Sequence, residues 1–250
     1  MTDFIVPDWP VALGVNALST TRRGGFSVGP YDDGAGGGGL NLGLHVGDVP
    51  GTVRQNRARL RAMLPAEPAW LSQVHGAVVV DAAKVEGVPE ADASFTTQRG
   101  VVCAIQTADC LPVLFADRAG TVVGAAHAGW RGLAAGVLRN TVLCMREAGA
   151  RDVVAWLGPA IGPHRFEVGP EVRATFIEGN QAAGAAFTVA RDGKYMADIY
   201  HLARLALADC GVQYIGGGGL CTVMQDKRFY SYRRDGVTGR MASLIWLAPT

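Results

Sequence analysis

The 250-residue chain has no Cys-x-x-Cys pair, and its five cysteines (Cys103, Cys110, Cys144, Cys210 and Cys221) are scattered and odd in number. This argues against a disulfide framework and fits a reducing cytosol. The chain also has almost no excess charge. Lysine and arginine total 23 against 22 aspartates and glutamates, a formal net charge of +1, which removes the broad electrostatic case for nucleic acid. No long hydrophobic run is present. The most apolar window, residues 101–116, is interrupted by Gln106, Asp109 and Pro112, which excludes a membrane span there. The opening residues, MTDFIVPDWP, are acidic and broken by proline, unlike a signal peptide. The expected place is the cytoplasm.

What is present is the composition of a globular enzyme, 49% hydrophobic and 18% charged, in a chain long enough for a sizeable core. With no internal repeat and no dividing linker, residues 1–250 read as one intertwined domain. Residues 106–132, QTADCLPVLFADRAGTVVGAAHAGWRG, organise the rest. The runs LPVLFA and TVVGAA are short, apolar and bounded by Asp, Gly or Pro, as buried strands are. Residues 117–120 read as a tight turn between them. The resulting hairpin places Cys110 and His127 at one end of a sheet.

Before this stretch, residues 11–48 are rich in glycine and turn signals. The run GAGGGG at 34–39 lacks the Gly-Lys-Ser/Thr and the preceding strand of a phosphate loop, so a flexible surface loop is expected. Arg22, ahead of Gly24 and Gly25, sets a cation beside backbone that a ligand can approach closely. A solvated loop charge is the plainer alternative. Asn41 and His45 follow in a compact polar turn. TVRQNRARLRAM, residues 52–63, predicts a basic amphipathic helix capped by Thr52, with Val53, Leu60 and Met63 inward. Its arginines read as a solvated face. His75 lies in a Gln-Val-His-Gly turn before a valine-rich strand.

After Trp130, GLAAGVLRNTVLCMREAG predicts one helix stopping at Gly149, with Leu133, Val137, Leu138 and Met145 on its apolar face. DVVAWLG predicts a strand, and the two Gly-Pro pairs of GPAIGPHRFEVG a rigid loop. PEVRATFIEG and DIYHLARLALADCG predict two further helices. Near the end, Phe229, Tyr230 and Tyr232 beside Arg233 and Arg234 have the composition of a nucleic-acid stacking face, which the neutral net charge disfavours. An Arg-Asp-Gly turn packed on a core and holding an anion with Arg240 fits better. A strand, SLIWL, closes the segment.

Three readings of His75, Cys110 and His127 stand open on chemistry alone. Each residue is independently placed; or Cys110 is a thiolate activated by a histidine; or the three side chains ligate a transition metal. Two imidazoles and one thiolate leave a fourth tetrahedral position open, as in catalytic zinc sites. The spacings of 35 and 17 residues are too long for a local zinc-finger pattern.

The strings TRRGGFSVG, LNLGLHVGD, VRQNRARL, LSQVHG, TADCLPVLFAD, AAHAGWRG, GPAIGPHRFEVG and FYSYRRDGVTGRMASLIWL, in this order, closely resemble the YfiH family. It is also called the multicopper polyphenol oxidase (laccase) or purine nucleoside phosphorylase laccase-like family. The resemblance runs from about residue 19 to residue 247. It implies an α/β/β/α sandwich of mixed sheets, related in site geometry to bacterial Cys-His toxins. It further implies that His75, Cys110 and His127 are zinc ligands and the catalytic group. The implied activities are phosphorolysis of adenosine, inosine, guanosine and methylthioadenosine, and hydrolytic deamination of adenosine. A peptidoglycan-editing hydrolase, removing misincorporated L-Ser from a UDP-MurNAc precursor, is the alternative, and a copper polyphenol oxidase a further one. The insertion at 34–39 departs from the family pattern and is expected to alter the rim of the pocket.

Zinc is favoured over copper, because no methionine lies in the three ligand segments to serve as an axial ligand and a three-copper cluster needs about eight further histidines. This chain has five histidines in all. The expected partners are a purine nucleoside and phosphate, with neither nucleic acid nor membrane. By proximity to the matching motifs, Arg22 and secondarily Arg131 are expected to hold phosphate. Asn41, His45 and Gln73 are expected to line the pocket, and Asp109 to orient a ligand from behind.

Overall fold

In the computed structural model, which describes residues 3–249, the alternation of side chains along the strands decides the layering. The first half of the chain forms β1 (Val15–Ser19), β2 (Arg23–Ser27), α1 (Pro50–Arg61), β3 (Pro68–Ala69), β4 (Val79–Asp81), β5 (Ala93–Thr96), β6 (Val102–Thr107), β7 (Leu111–Asp117) and β8 (Val123–Ala128). The second half forms α2 (Trp130–Ala134), α3 (Val137–Glu147), β9 (Val153–Leu157), β10 (Glu167–Val168), α4 (Pro170–Gly179), β11 (Phe187–Val189), β12 (Tyr195–Ala197), α5 (Ile199–Asp209), β13 (Ile215–Gly217), α6 (Tyr232–Asp235) and β14 (Met241–Leu247).

Two mixed sheets face one another. One has the order β13-β9-β7-β8-β5-β4, the other β1-β14-β6-β3, and each combines parallel and antiparallel pairs. A small third sheet has the order β10-β12-β11. Val113 and Phe115 of β7 belong to the helical-side core, with Leu138, Val142 and Met145 of α3 and Leu202 of α5. The alternate residues Leu114 and Ala116 face the second sheet, where they meet Cys103 and Ile105 of β6 and Ile245 of β14. The far face of that second sheet, with Val102, Ala104 and Leu244, is covered by Leu60 of α1. The result is an α/β/β/α sandwich with mixed sheets, as the resemblance implied.

The expected hairpin is β7 and β8, paired antiparallel with Pro112 opposite His127 and Leu111 opposite Ala128. A two-residue side-chain period then puts Cys110 and His127 on the face that looks toward the second sheet.

Several local expectations are corrected. The first helix begins at Pro50, not at a Thr52 cap: its N-cap is Val49, and proline at the first helical position needs no N–H partner. Val53 and Leu60 are buried, but Met63 is exposed. The single helix expected after Trp130 is two, α2 and α3, because Gly136 between them has φ +89°, a left-handed conformation that ends the first. Phe229 and Tyr230 are fully buried, so they present no stacking face. Of the run at 34–39, residues 34–37 are an exposed turn braced by Asp33, whose Oδ1 accepts the N–H groups of Ala35 and Gly37, while Gly39 is buried and bridged to Arg23 and Ser27. No helix among the described residues is long and apolar enough to cross a membrane.

Candidate metal centre

His75, Cys110 and His127 converge at the hairpin end. One donor atom from each lies within 4.8 Å of the others. Cys110 Sγ is 3.7 Å from His75 Nε2. Two ligands of a tetrahedral zinc, at about 2.3 Å for sulfur and about 2.0 Å for nitrogen, stand roughly 3.5 Å apart. The donor set and its spacing therefore fit a metal ion with one position left open. Among the described residues this is the cluster of His, Cys, Asp and Glu able to hold one.

Both histidines are set by one carboxylate. Asp92 Oδ1 lies 2.8 Å from His127 Nδ1, and His127 also donates its backbone N–H to the Asp92 carbonyl. The same carboxylate accepts the backbone N–H groups of Val74, His75 and Gly76. This holds His75 at φ +61°, a left-handed conformation uncommon for a non-glycine residue. Asp109, at φ +90°, is the second such residue at the site. Its carboxylate accepts from Thr222, Ser231 and the Arg233 N–H, so it pins the backbone leading into Cys110 to the 222–233 segment. Asp109 thus acts on chain position, and the imidazole-orienting carboxylate is Asp92. Sequence reasoning gave Asp92 no role. The available signal was an acid directly before a short strand, β5, whose ends are buried and where a charge requires partners.

Close approach of backbone completes the centre. A Cβ placed on Gly129 would stand 2.8 Å from His75 Cδ2 and 3.0 Å from Cys110 Sγ, so a larger residue there would displace at least one of the two side chains.

Burial pushes the Cys110 thiol up, but the His127 charge and the hydrogen bonds from both imidazoles outweigh it and bring the thiol down to about 6. Burial likewise lowers His127, yet the Cys110 thiolate and the Asp92 carboxylate raise it above the ordinary histidine range. The two residues favour a thiolate–imidazolium pair.

The three residues line a cleft of about 830 Å³. The cleft brings in some of the expected residues and leaves out others. His45 and Gln73 line it. Gln73 spends its amide on the Gln106 backbone, donating to O and accepting from N–H, both at 2.8 Å. Asn41 is fully buried behind the wall, where Oδ1 accepts the Arg240 N–H at 2.8 Å. Arg22 does not line the cleft. It is buried, with Nε on Asp32 O, Nη1 on Asp226 O and Nη2 on Asp32 Oδ1. Arg131 is exposed, stacks on neighbouring Trp130 at 4.4 Å, and is also outside the lining. The cations that do line the cleft are Arg57 and Arg240. The 34–39 insertion contributes nothing to that lining.

Residues 16–248 match the family described as multi-copper polyphenol oxidoreductase laccase. The chain is 54% identical over 253 aligned residues to the purine nucleoside phosphorylase YfiH of Escherichia coli (strain K12), covering 99% of this chain and 100% of that protein. It is 52% identical to the purine nucleoside phosphorylase PA4543 of Pseudomonas aeruginosa, covering 99% of each. Among solved structures it resembles Neisseria meningitidis protein NMB0706, with a TM-score of 0.92, 50% identity, and coverage of 98% of this chain and 99% of that one.

Proposed function

The chain belongs to the multi-copper polyphenol oxidoreductase laccase family, and from that premise we propose that it is a zinc-dependent purine nucleoside phosphorylase. Adenosine, inosine, guanosine and methylthioadenosine are its proposed substrates, with deamination of adenosine as a second activity. The observation that carries this reading is the His75–Cys110–His127 cluster opening onto a cleft of about 830 Å³, within the range of small-molecule sites. The names of the relatives from Escherichia coli and Pseudomonas aeruginosa support the phosphorylase part of this reading.

When bound by His75, Cys110 and His127, zinc supplies a Lewis acid with an open position. The protein's own groups do the rest. Asp92 keeps a proton on His127 Nδ1, which turns Nε2 toward the centre. Leu44, Trp70, Leu71 and Val88 give the cleft apolar surface for a purine face, and its arginines give it the positive charge that phosphate requires. The histidine count favours zinc over a multicopper cluster, since five histidines cannot furnish one.

The test combines elemental analysis with product analysis on the purified protein. About one zinc per chain, phosphate-dependent release of hypoxanthine from inosine, and loss of both in Cys110→Ala are the expected results. Adenosine should give inosine without phosphate. Zinc-loaded protein that transforms none of the four nucleosides would overturn the reading, as would copper content with oxidation of phenols.

A further inference from the structure

Arg22 and Arg234 show what a structural arginine looks like in this fold. Arg22 places all three kinds of guanidinium nitrogen on acceptors, and Arg234 spends its donors on Asp235, Thr222, Val223 and Phe229. Arg57 and Arg240 differ. Arg57 donates from Nε to Leu42 O at 2.9 Å and lies 4.1 Å from the Trp70 ring, and neither Nη has a partner among the described residues. Arg240 directs Nη1 to the carbonyls of Thr238 and Gly239, leaving Nε and Nη2 without one among the described residues. Neither makes an ion pair with a carboxylate among those residues. Glu67, the acid that acts on Arg57, takes the Trp70 indole N–H at 2.7 Å.

Both arginines are partly buried in one cleft with His45. Burial lowers each arginine, while burial, Arg240 and Arg57 together hold His45 below the ordinary histidine range. Arg57 and Arg240 are thus half-buried in one cleft, where partial removal from water costs each cation, with no carboxylate in ion-pair contact among the described residues. Their placement is fixed. Asn41 Oδ1 holds the Arg240 N–H, Leu42 donates its N–H to Arg240 O, and a Cβ on Gly43 would stand 2.8 Å from Arg240 Cγ. Arg240 lines the same cleft as Cys110 and His127.

We propose that Arg57, Arg240 and His45 form a subsite for a tetrahedral oxyanion of the phosphate class, and that its occupant is inorganic phosphate. Naming phosphate as co-substrate rests on the phosphorylase reading. A planar guanidinium with two open donors suits paired phosphate oxygens. In the reaction, a phosphate oxygen forms the new bond to C1′ as the C1′–N9 bond breaks and its electron pair passes to the base. The proton of hydrogen phosphate ends on the base, which balances the exchange.

The experiment uses the zinc-loaded full chain with Arg57→Gln, Arg240→Gln and the corresponding lysine variants. In inosine phosphorolysis the glutamine variants should raise KM for phosphate at least tenfold and KM for inosine less than twofold, with partial rescue by lysine. Folded glutamine variants with an unchanged KM for phosphate would overturn the subsite and leave the phosphorylase reading intact. Should the wild type phosphorolyse nothing, that reading falls, and calorimetric titration with inorganic phosphate decides the subsite alone. Binding weakened at least tenfold by Arg240→Gln supports it; no binding to the wild type overturns it. Binding of a nucleoside 5′-monophosphate but not of inorganic phosphate would overturn the assignment to the free anion.

Discussion

Asp92 and His127 are joined twice, by a 2.8 Å contact from Oδ1 to Nδ1 and by the His127 N–H on the Asp92 carbonyl. Because the same carboxylate also gathers three N–H groups around His75, one side chain governs the tautomer of one histidine and the backbone of the other. Asp92→Asn keeps the shape and removes the charge. Metal affinity should fall by about 10–100-fold, as for other partners that orient metal-bound imidazoles. Competition with a chelator measures it, and an unchanged affinity would show that Asp92 does not tune the site.

Gly129→Ala tests close approach rather than charge. The added methyl would meet His75 Cδ2 at 2.8 Å and Cys110 Sγ at 3.0 Å, so at least one donor must move. Zinc content after dialysis should drop well below that of the wild type while the circular dichroism spectrum stays native. Full retention of zinc would mean that the cluster shifts freely.

The pairing of Cys110 with His127 predicts its reactivity after zinc is stripped with a chelator. With its thiol lowered to about 6, Cys110 is a thiolate above that pH and loses reactivity as the pH falls through it. Burial pushes Cys103 up to about 12, so that thiol stays protonated throughout. Iodoacetamide should therefore label Cys110 ahead of Cys103, with a midpoint near pH 6, and zinc should protect it. Mass mapping of the labelled peptides gives the profile. A midpoint near the free-thiol value of about 8.5 would remove the imidazolium from the account.

The hairpin was legible because two apolar runs flank a turn, and the period of two then fixes which side chains share a face. The joining of His75 to that pair was not, since 35 residues separate it from Cys110 and no local pattern encodes the loop that brings it back. The family resemblance supplied it. The arginines were misread for a related reason. Arg22 was expected to hold phosphate yet is buried in a saturated network, and Arg57, read as part of a solvated helix face, lies over Trp70, a ring thirteen positions along. Helical spacing does not reveal what a side chain will meet across the fold. Gly136 was legible only as a weak helix former, since residue type permits its left-handed φ of +89° without requiring it.

Asp117 offers a pH-dependent test of the hairpin itself. Its Oδ2 accepts from Thr121 Oγ1 at 2.6 Å, and its Oδ1 accepts the N–H groups of Arg151 and Asp152 at 3.0 Å each. Burial raises this carboxyl, but the hydrogen bonds outweigh it and hold it below the usual value of 3.8. A folded value below the unfolded one means that the carboxylate contributes stability above the unfolded pKa. That contribution is lost as the pH falls from about 3.8 through the folded value. Asp117→Asn should therefore cost about 1–3 kcal/mol at pH 7, and the difference should shrink on acidification below that point. Urea unfolding midpoints from pH 7 down to pH 3 measure it, and a difference independent of pH would show that the charge is not the source. Zinc affinity should hardly change, because β7 is also paired with β9 and keeps its register without the turn carboxylate. A variant that loses stability and zinc together would instead tie the metal centre to the far end of the hairpin.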